Sequence, residues 1–134
     1  MGNRQSHRFV RLVCALAALA GGPALGCSGG YRHAPVDSTK ARETLSAALE
    51  SWKRGDKIDA LQDEDPPIYV IDMDWRAGLK LKEYQVMGDG REMDAHLYCP
   101  VKLTVQKSNG KEANAQVTYI IATAPNLTVA RKVF

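Results

Sequence analysis

Cysteine is scarce in this sequence: the 134 residues hold 3, at Cys14, Cys27 and Cys99. So few thiols cannot staple a small domain with disulfides, and its stability must come from an apolar core. Histidine is equally rare, with His7, His33 and His96 far apart along the chain. That spacing gathers no imidazole and thiolate ligands, so no metal site and no cofactor are expected. Cys-x-x-Cys, Gly-x-Ser-x-Gly and the phosphate-loop glycine pattern are all missing. Their absence removes the common signatures of redox, acyl-transfer and nucleotide chemistry. There is no internal repeat and no long low-complexity tract.

Acidic residues are absent before Cys27, where the only formal charges are Arg4, Arg8 and Arg11. The rest of the 18 basic residues match the 15 acidic residues one for one. The domain beyond Cys27 is therefore neutral and gives no electrostatic case for nucleic acid or an anionic surface. Long hydrophobic runs are also missing. The uncharged stretch from Leu12 to Tyr31 has 20 residues, but its second half holds four glycines and a proline, directly after Gly21. That half is too polar and too broken for a bilayer-spanning helix.

What stands at the N-terminus is a three-part layout. Arg4, Arg8 and Arg11 form a basic region, Leu12 to Ala20 a short apolar run, and Gly21-Gly22-Pro23 a break. This is the order of a secretory signal peptide. Met1-Gly2-Asn3-Arg4-Gln5-Ser6 also fits an N-myristoylation pattern, which would leave the apolar run without a role. The closing Ala24-Leu25-Gly26-Cys27 resembles a bacterial lipobox, with Ala24 where a bulkier aliphatic is commoner. The resemblance implies cleavage before Cys27 and diacylglycerol on its sulfur. Acyl chains contribute about 0.8 kcal/mol per buried CH₂, and two or more anchor stably. Residues 28–36 show no periodicity and read as a linker with a mean reach of roughly 15–20 Å. The expected organisation is a lipoprotein signal peptide over 1–26, a lipidated cysteine and linker over 27–36, and one α+β domain over 37–134. The expected address is the cell envelope, on the periplasmic or outer side of a membrane.

Asp37 and Ser38 are good N-caps, and Ala41, Leu45, Ala48, Leu49 and Trp52 follow at helical spacing. Gly55 after Lys53-Arg54 ends the pattern, so residues 38–54 are expected to form an amphipathic helix. A short second helix is expected from Asp56 through Leu61, then a turn at Asp63-Glu64-Asp65-Pro66-Pro67. Ile68 to Ile71 and Leu79 to Met87 read as strands. The second changes phase at Lys82-Glu83, which predicts a bulge.

The clearest pattern is a hairpin. Odd positions from Ala95 to Val105 and from Ala113 to Ile121 are apolar and alternate with polar or exposed ones. A two-residue Asn109-Gly110 loop would set apolar residues opposite polar ones. A three-residue loop with Gly110 left-handed pairs Lys107 with Lys111, Val105 with Ala113 and Val101 with Val117, keeping one face apolar. A last strand is expected from Leu127 to Val133.

The resulting fold class is α+β: one long N-terminal helix packed on a curved antiparallel meander of about four strands. This order resembles the cystatin-like and nuclear-transport-factor-2-like (NTF2-like) arrangements. Trp52-Lys53-Arg54-Gly55-Asp56 resembles the W-x-x-G-D that ends the first helix in the latter. With Asp74-Trp75-Arg76-Ala77-Gly78-Leu79 and Leu127-Thr128-Val129-Ala130-Arg131, the chain resembles small lipoproteins of planctomycete-type bacteria. That resemblance implies no particular activity.

Three chemistries bear on these residues. Cys99, on the apolar face, is expected to be an inert core thiol. Asp72 and Asp74 are expected in a solvated turn before Trp75. A cystatin-type inhibitor would carry Q-x-V-x-G, and Gln85-Val86-Met87-Gly88 does not fit it. The expected function is a non-catalytic interaction module, anchored to a membrane through Cys27. Its interaction patch is His96, Tyr98, Pro100 and Ile120, facing outward and meeting a second subunit or an envelope protein. The alternative is a small-ligand binder or a lyase/isomerase-type enzyme. Its pocket would lie between helix and sheet, with Tyr84, Tyr119 or the Asp72/Asp74 pair at the mouth.

Overall fold

The structure is a computed structural model and describes residues 34–134. The described residues form one unit. The expectations for the signal segment, for Cys27 and for the linker before Ala34 lie outside the described residues.

Helix α1 runs from Ser38 to Arg54. It starts where Asp37 leaves the helical conformation and its carboxylate accepts the Lys40 N–H at 3.0 Å. It stops at Gly55, whose φ of +89° places it in the left-handed region that glycine adopts without steric cost. The apolar stripe of Ala41, Leu45, Ala48, Leu49 and Trp52 is buried. The expected second helix is a 3-10 turn, Ala60–Asp63, beginning later than the sequence pattern placed it.

The remaining elements are β1 (Ile68–Ile71), α2 (Met73–Arg76), β2 (Lys80–Val86), β3 (Arg91–Met93), β4 (His96–Gln106), β5 (Glu112–Ala122) and β6 (Leu127–Arg131). The phase change in β2 is a register shift between Leu81 and Glu83. It lets Leu81, Tyr84 and Val86 all pair with the inward row Val105, Leu103 and Val101. The β4–β5 hairpin takes the three-residue register, with Val105 opposite Ala113 and Val101 opposite Val117. Gly110 is left-handed at φ +79°, and the Lys107 N–H reaches the Lys111 carbonyl at 2.9 Å.

Two features correct the expectation of a meander of about four strands. The curled sheet has six strands, ordered β1-β6-β5-β4-β2, with β3 paired to the other half of the β4 edge. In addition, β1 and β6 are parallel, with Ile68 beside Leu127 and Ile71 beside Ala130. The last strand thus inserts between the first and the hairpin. The short β3 arises from a tight turn at Asp94-Ala95, both at positive φ, which folds Arg91 back against Tyr98.

Helix α1 covers one face of this sheet. Leu97, Cys99, Val101, Leu103 and Val105 on β4, with Tyr119 and Ile121 on β5, are buried beneath it together with Leu45, Leu49 and Trp52. The opposite face carries the even positions of β4 and β5, which stay half-buried or exposed.

The end of α1 is fixed by a pair of indoles. Trp52 and Trp75 stack with centroids 5.5 Å apart and planes 9° from parallel. Each indole N–H is satisfied by a backbone carbonyl: Trp52 donates to Leu79 at 2.8 Å and Trp75 to Asp56 at 2.9 Å. Asp56 in turn accepts from Ser51 Oγ at 2.8 Å and pairs with Arg54. The Ser51 hydrogen bond and then the Arg54 guanidinium hold its carboxyl below the usual carboxylate range. The W-x-x-G-D segment thus acts as a corner: Trp52 packs, Gly55 ends the helix, and Asp56 docks α2.

Candidate functional site

The parallel pairing of β1 with β6 determines where the acidic residues go. Ile71 lies beside Ala130, so the next residue, Asp72, turns under the strand pair formed by Tyr119 of β5 and Arg131 of β6. Asp72 is only 2% exposed and Tyr119 only 1%. The Tyr119 hydroxyl donates to Asp72 Oδ2 at 2.6 Å. Asp72 Oδ1 accepts the N–H groups of Asp74 at 2.9 Å and Trp75 at 3.1 Å, capping α2. Arg131 Nη1 lies 3.6 Å from the same oxygen and donates to Asp74 Oδ2. The expectation of a solvated turn here is overturned for Asp72. Its charge is buried because a phenol, two amides and a guanidinium surround it.

This network is self-contained. Burial, and then the neighbouring Asp72 charge, push the Tyr119 phenol above the ordinary tyrosine range, so it remains a donor. Burial works against the Arg131 charge, yet its hydrogen bond to Asp74 and the field of Asp72 prevail and raise its pKa. Among the described residues, no buried side-chain nitrogen or oxygen lacks a partner. The carboxylate and the phenol are thus engaged with each other and with the fold.

Tyr84 is placed differently. It faces the helix from edge strand β2 and donates to Glu50 Oε1 of α1 at 2.5 Å. Partial burial and then the Glu50 carboxylate raise its pKa to about 12. Cys99 is fully buried on the inner face, and burial pushes its thiol up, as expected of a core sulfur. Gly90 packs onto it so closely that an added Cβ would lie 2.8 Å from Cys99 Sγ.

The four residues of the expected patch share the outer face. Tyr98 sits directly opposite Ile120, Pro100 opposite Thr118, and His96 opposite Met93 of β3. All four are half-buried by one another and by their strand neighbours. The His96 ring lies with Nδ1 2.6 Å from the Asp94 carbonyl, tying the ring to the β3–β4 turn. One cross-strand row runs Ile71, Ala130, Ile120, Tyr98, Arg91, each the register partner of the next. Sequence reasoning found Tyr98, Ile120 and their neighbours from strand alternation. It missed Ile71, because β1 joins the row through non-local pairing with β6, and Met93, because Asp94-Ala95 is not a strong turn pair.

Among the described residues, no group of three or more His, Cys, Asp or Glu side chains stands in metal-holding geometry. No described helix is long and apolar enough to cross a membrane.

These features define an α+β domain with one long helix on a curled, mostly antiparallel sheet. No family model matches the chain, no curated protein matches it, and no solved structure matches it.

Proposed function

We propose that this chain is a lipid-anchored protein of the cell envelope whose domain works as a non-catalytic interaction module. Cys27 carries the acyl chains, and the outer sheet face meets a second subunit or an envelope protein. The domain is of the cystatin-like or NTF2-like kind, a reading supported by one long helix lying on a curled sheet. The N-terminal order of basic residues, apolar run and Ala24-Leu25-Gly26-Cys27 supports the anchor.

The observation that carries the reading is the outer face itself. Tyr98 and Ile120 pair at its centre, flanked by Pro100 and His96, while the helix packs on the other side of the sheet. An apolar centre with polar surroundings is the composition of a protein contact. A pocket between helix and sheet has less support, since that space is filled by Leu45, Leu49, Leu97, Leu103 and Ile121.

The test has two arms. Labelling with radioactive palmitate marks the parent chain and not Cys27→Ala. Tyr98→Glu weakens cross-linking to self or partner without lowering the melting temperature. Equal cross-linking of parent and variant would remove the interaction face from the proposal.

A further inference from the structure

The neutral total of the domain conceals an uneven distribution of charge at the end of α1. An open groove of about 590 Å³ runs beside the Trp52–Trp75 stack, and Lys57, Arg76, Lys80 and Asp59 line it. The three cations come from three segments: the loop after α1, the end of α2 and the start of β2. All three are exposed, and none has an ion-pair partner among the described residues. Two acidic residues border the same groove. Asp56 is already paired with Arg54 and hydrogen-bonded by Ser51. Asp59 brings a carboxylate without a cation, and it accepts from Gln62 Nε2 at 3.1 Å. Three cations against one such carboxylate leave an excess of two positive charges in one concavity.

The indole pair gathers these charges. Trp75 donates to the Asp56 carbonyl, and Lys57 is the next residue. Trp52 donates to the Leu79 carbonyl, and Lys80 is the next residue. Arg76 directly follows Trp75 itself. Each cation thus stands one residue from a group that the stack fixes, so the walls of the groove are set before any ligand arrives. The helix ends do not use up the three charges. The Ser51 and Trp52 carbonyls accept from the N–H groups of Asp56 and Gly55, and the Asp74 and Trp75 carbonyls from those of Leu79 and Gly78. Like charges held together repel one another, and an anion in the groove relieves that repulsion. A phosphate monoester carries about −1.5 to −2 near neutral pH, which matches the excess. A guanidinium beside it can hold two of its oxygens at once.

We infer that this groove is a binding site for the phosphate group of a small ester. Arg76 takes the phosphate oxygens, Lys57 and Lys80 approach from the two walls, and the remainder of the ligand lies along the groove. The site goes beyond the outer-face contact and needs neither that contact nor the lipid anchor.

Trp52 and Trp75 are the two tryptophans of the chain and both line the groove, so their emission reports its occupancy. The full chain is titrated with inorganic pyrophosphate, followed by tryptophan emission and by calorimetry. Saturable binding is expected in both readouts. Lys57→Gln, Arg76→Gln and Lys80→Gln are each expected to raise Kd about threefold or more, the scale of one partly exposed charge contact, with the melting temperature unchanged. Arg76→Lys, which keeps the charge and loses the fork, falls between the parent and Arg76→Gln. Asp59→Asn tightens binding, and Lys111→Gln in the β4–β5 turn leaves it as it was. Absence of saturation in both readouts overturns the site. A Kd that the three groove substitutions leave unchanged overturns it too, because the anion then sits elsewhere on the chain. Sulfate binding as tightly as pyrophosphate means a loose counter-ion and no phosphate site, which is a third way to overturn it. Vesicles of phosphatidylcholine and phosphatidic acid distinguish the carrier of the phosphate. Displacement of pyrophosphate by them supports the site with a lipid headgroup in it, and no displacement supports it with a soluble ester.

Discussion

The hydroxyl of Tyr119 donates to the carboxylate of Asp72 across 2.6 Å, joining the middle of β5 to the residue that follows β1. Both groups are almost completely buried, and Arg131 lies beside them. The contact closes the sheet at its parallel end, where β1 has β6 as its strand partner. Its energetics can be read from variants.

Tyr119→Phe keeps the ring in the core but removes the donor to Asp72 Oδ2. A buried carboxylate oxygen without its partner costs about 1–3 kcal/mol. Asp72→Ala is expected to cost more, about 2–4 kcal/mol, because it leaves the buried Tyr119 hydroxyl without its acceptor and α2 without its cap, while Arg131 keeps Asp74. Urea unfolding of the two variants against the parent checks both the size and the order. A Tyr119→Phe protein as stable as the parent would mean that the hydrogen bond has no net effect.

The Tyr84 phenol has an ordinary value of 10.0 and is raised to about 12 in the folded chain. The folded state therefore binds its proton more tightly than the unfolded state does. The stabilisation is fully present below pH 10 and is lost as pH rises from 10 to 12. Tyr119, also raised, acts with the same sign. Glu50→Gln is expected to lower the Tyr84 midpoint only in part, since burial is the larger cause and the carboxylate the smaller. Absorbance titration of tyrosinate, parent against Glu50→Gln and Tyr84→Phe, measures this.

Gly90→Ala is expected to destabilise by about 2–4 kcal/mol. Its φ is +84°, and the new methyl would meet Cys99 Sγ at 2.8 Å and Leu97 Cγ at 3.0 Å. Adding Cys99→Ala removes the nearer clash, so the double variant should lose less than the two single losses summed. Thermal unfolding of the four proteins completes the cycle, and strict additivity would mean that the two residues do not touch.

Ala95 has φ +61° in the β3–β4 turn, a conformation an alanine pays for and a glycine does not. Ala95→Gly is expected to stabilise by about 0.5–1 kcal/mol, the relief exceeding the extra entropy of glycine in the unfolded chain. Denaturant midpoints of parent and variant decide the sign.

Several of these positions were legible in the sequence. The helix from Ser38 to Arg54 follows from a cap, an apolar stripe and a closing glycine, all of which act within a few residues. The β4–β5 register follows from alternation and one left-handed glycine, and Tyr98 opposite Ile120 comes with it. The bulge in β2 was visible as a broken alternation. By contrast, β3 was hidden because Asp94-Ala95 is not a strong turn pair. Asp72 read as solvated because nothing in Ile71-Asp72-Met73-Asp74 tells which strand will lie over it.

Local chemistry in the sequence was enough to settle the helix, its ends, the hairpin and the two faces of the central strands. Backbone sterics and hydrophobic period both act over short separations. Only the tertiary structure decided that β6 slides in parallel beside β1, that Asp72 is buried under Tyr119 and Arg131, and that Lys57, Arg76 and Lys80 share a groove. Those outcomes depend on contacts between segments far apart in the chain. Such contacts form when the whole sheet closes over one core, and no stretch of sequence carries that choice alone.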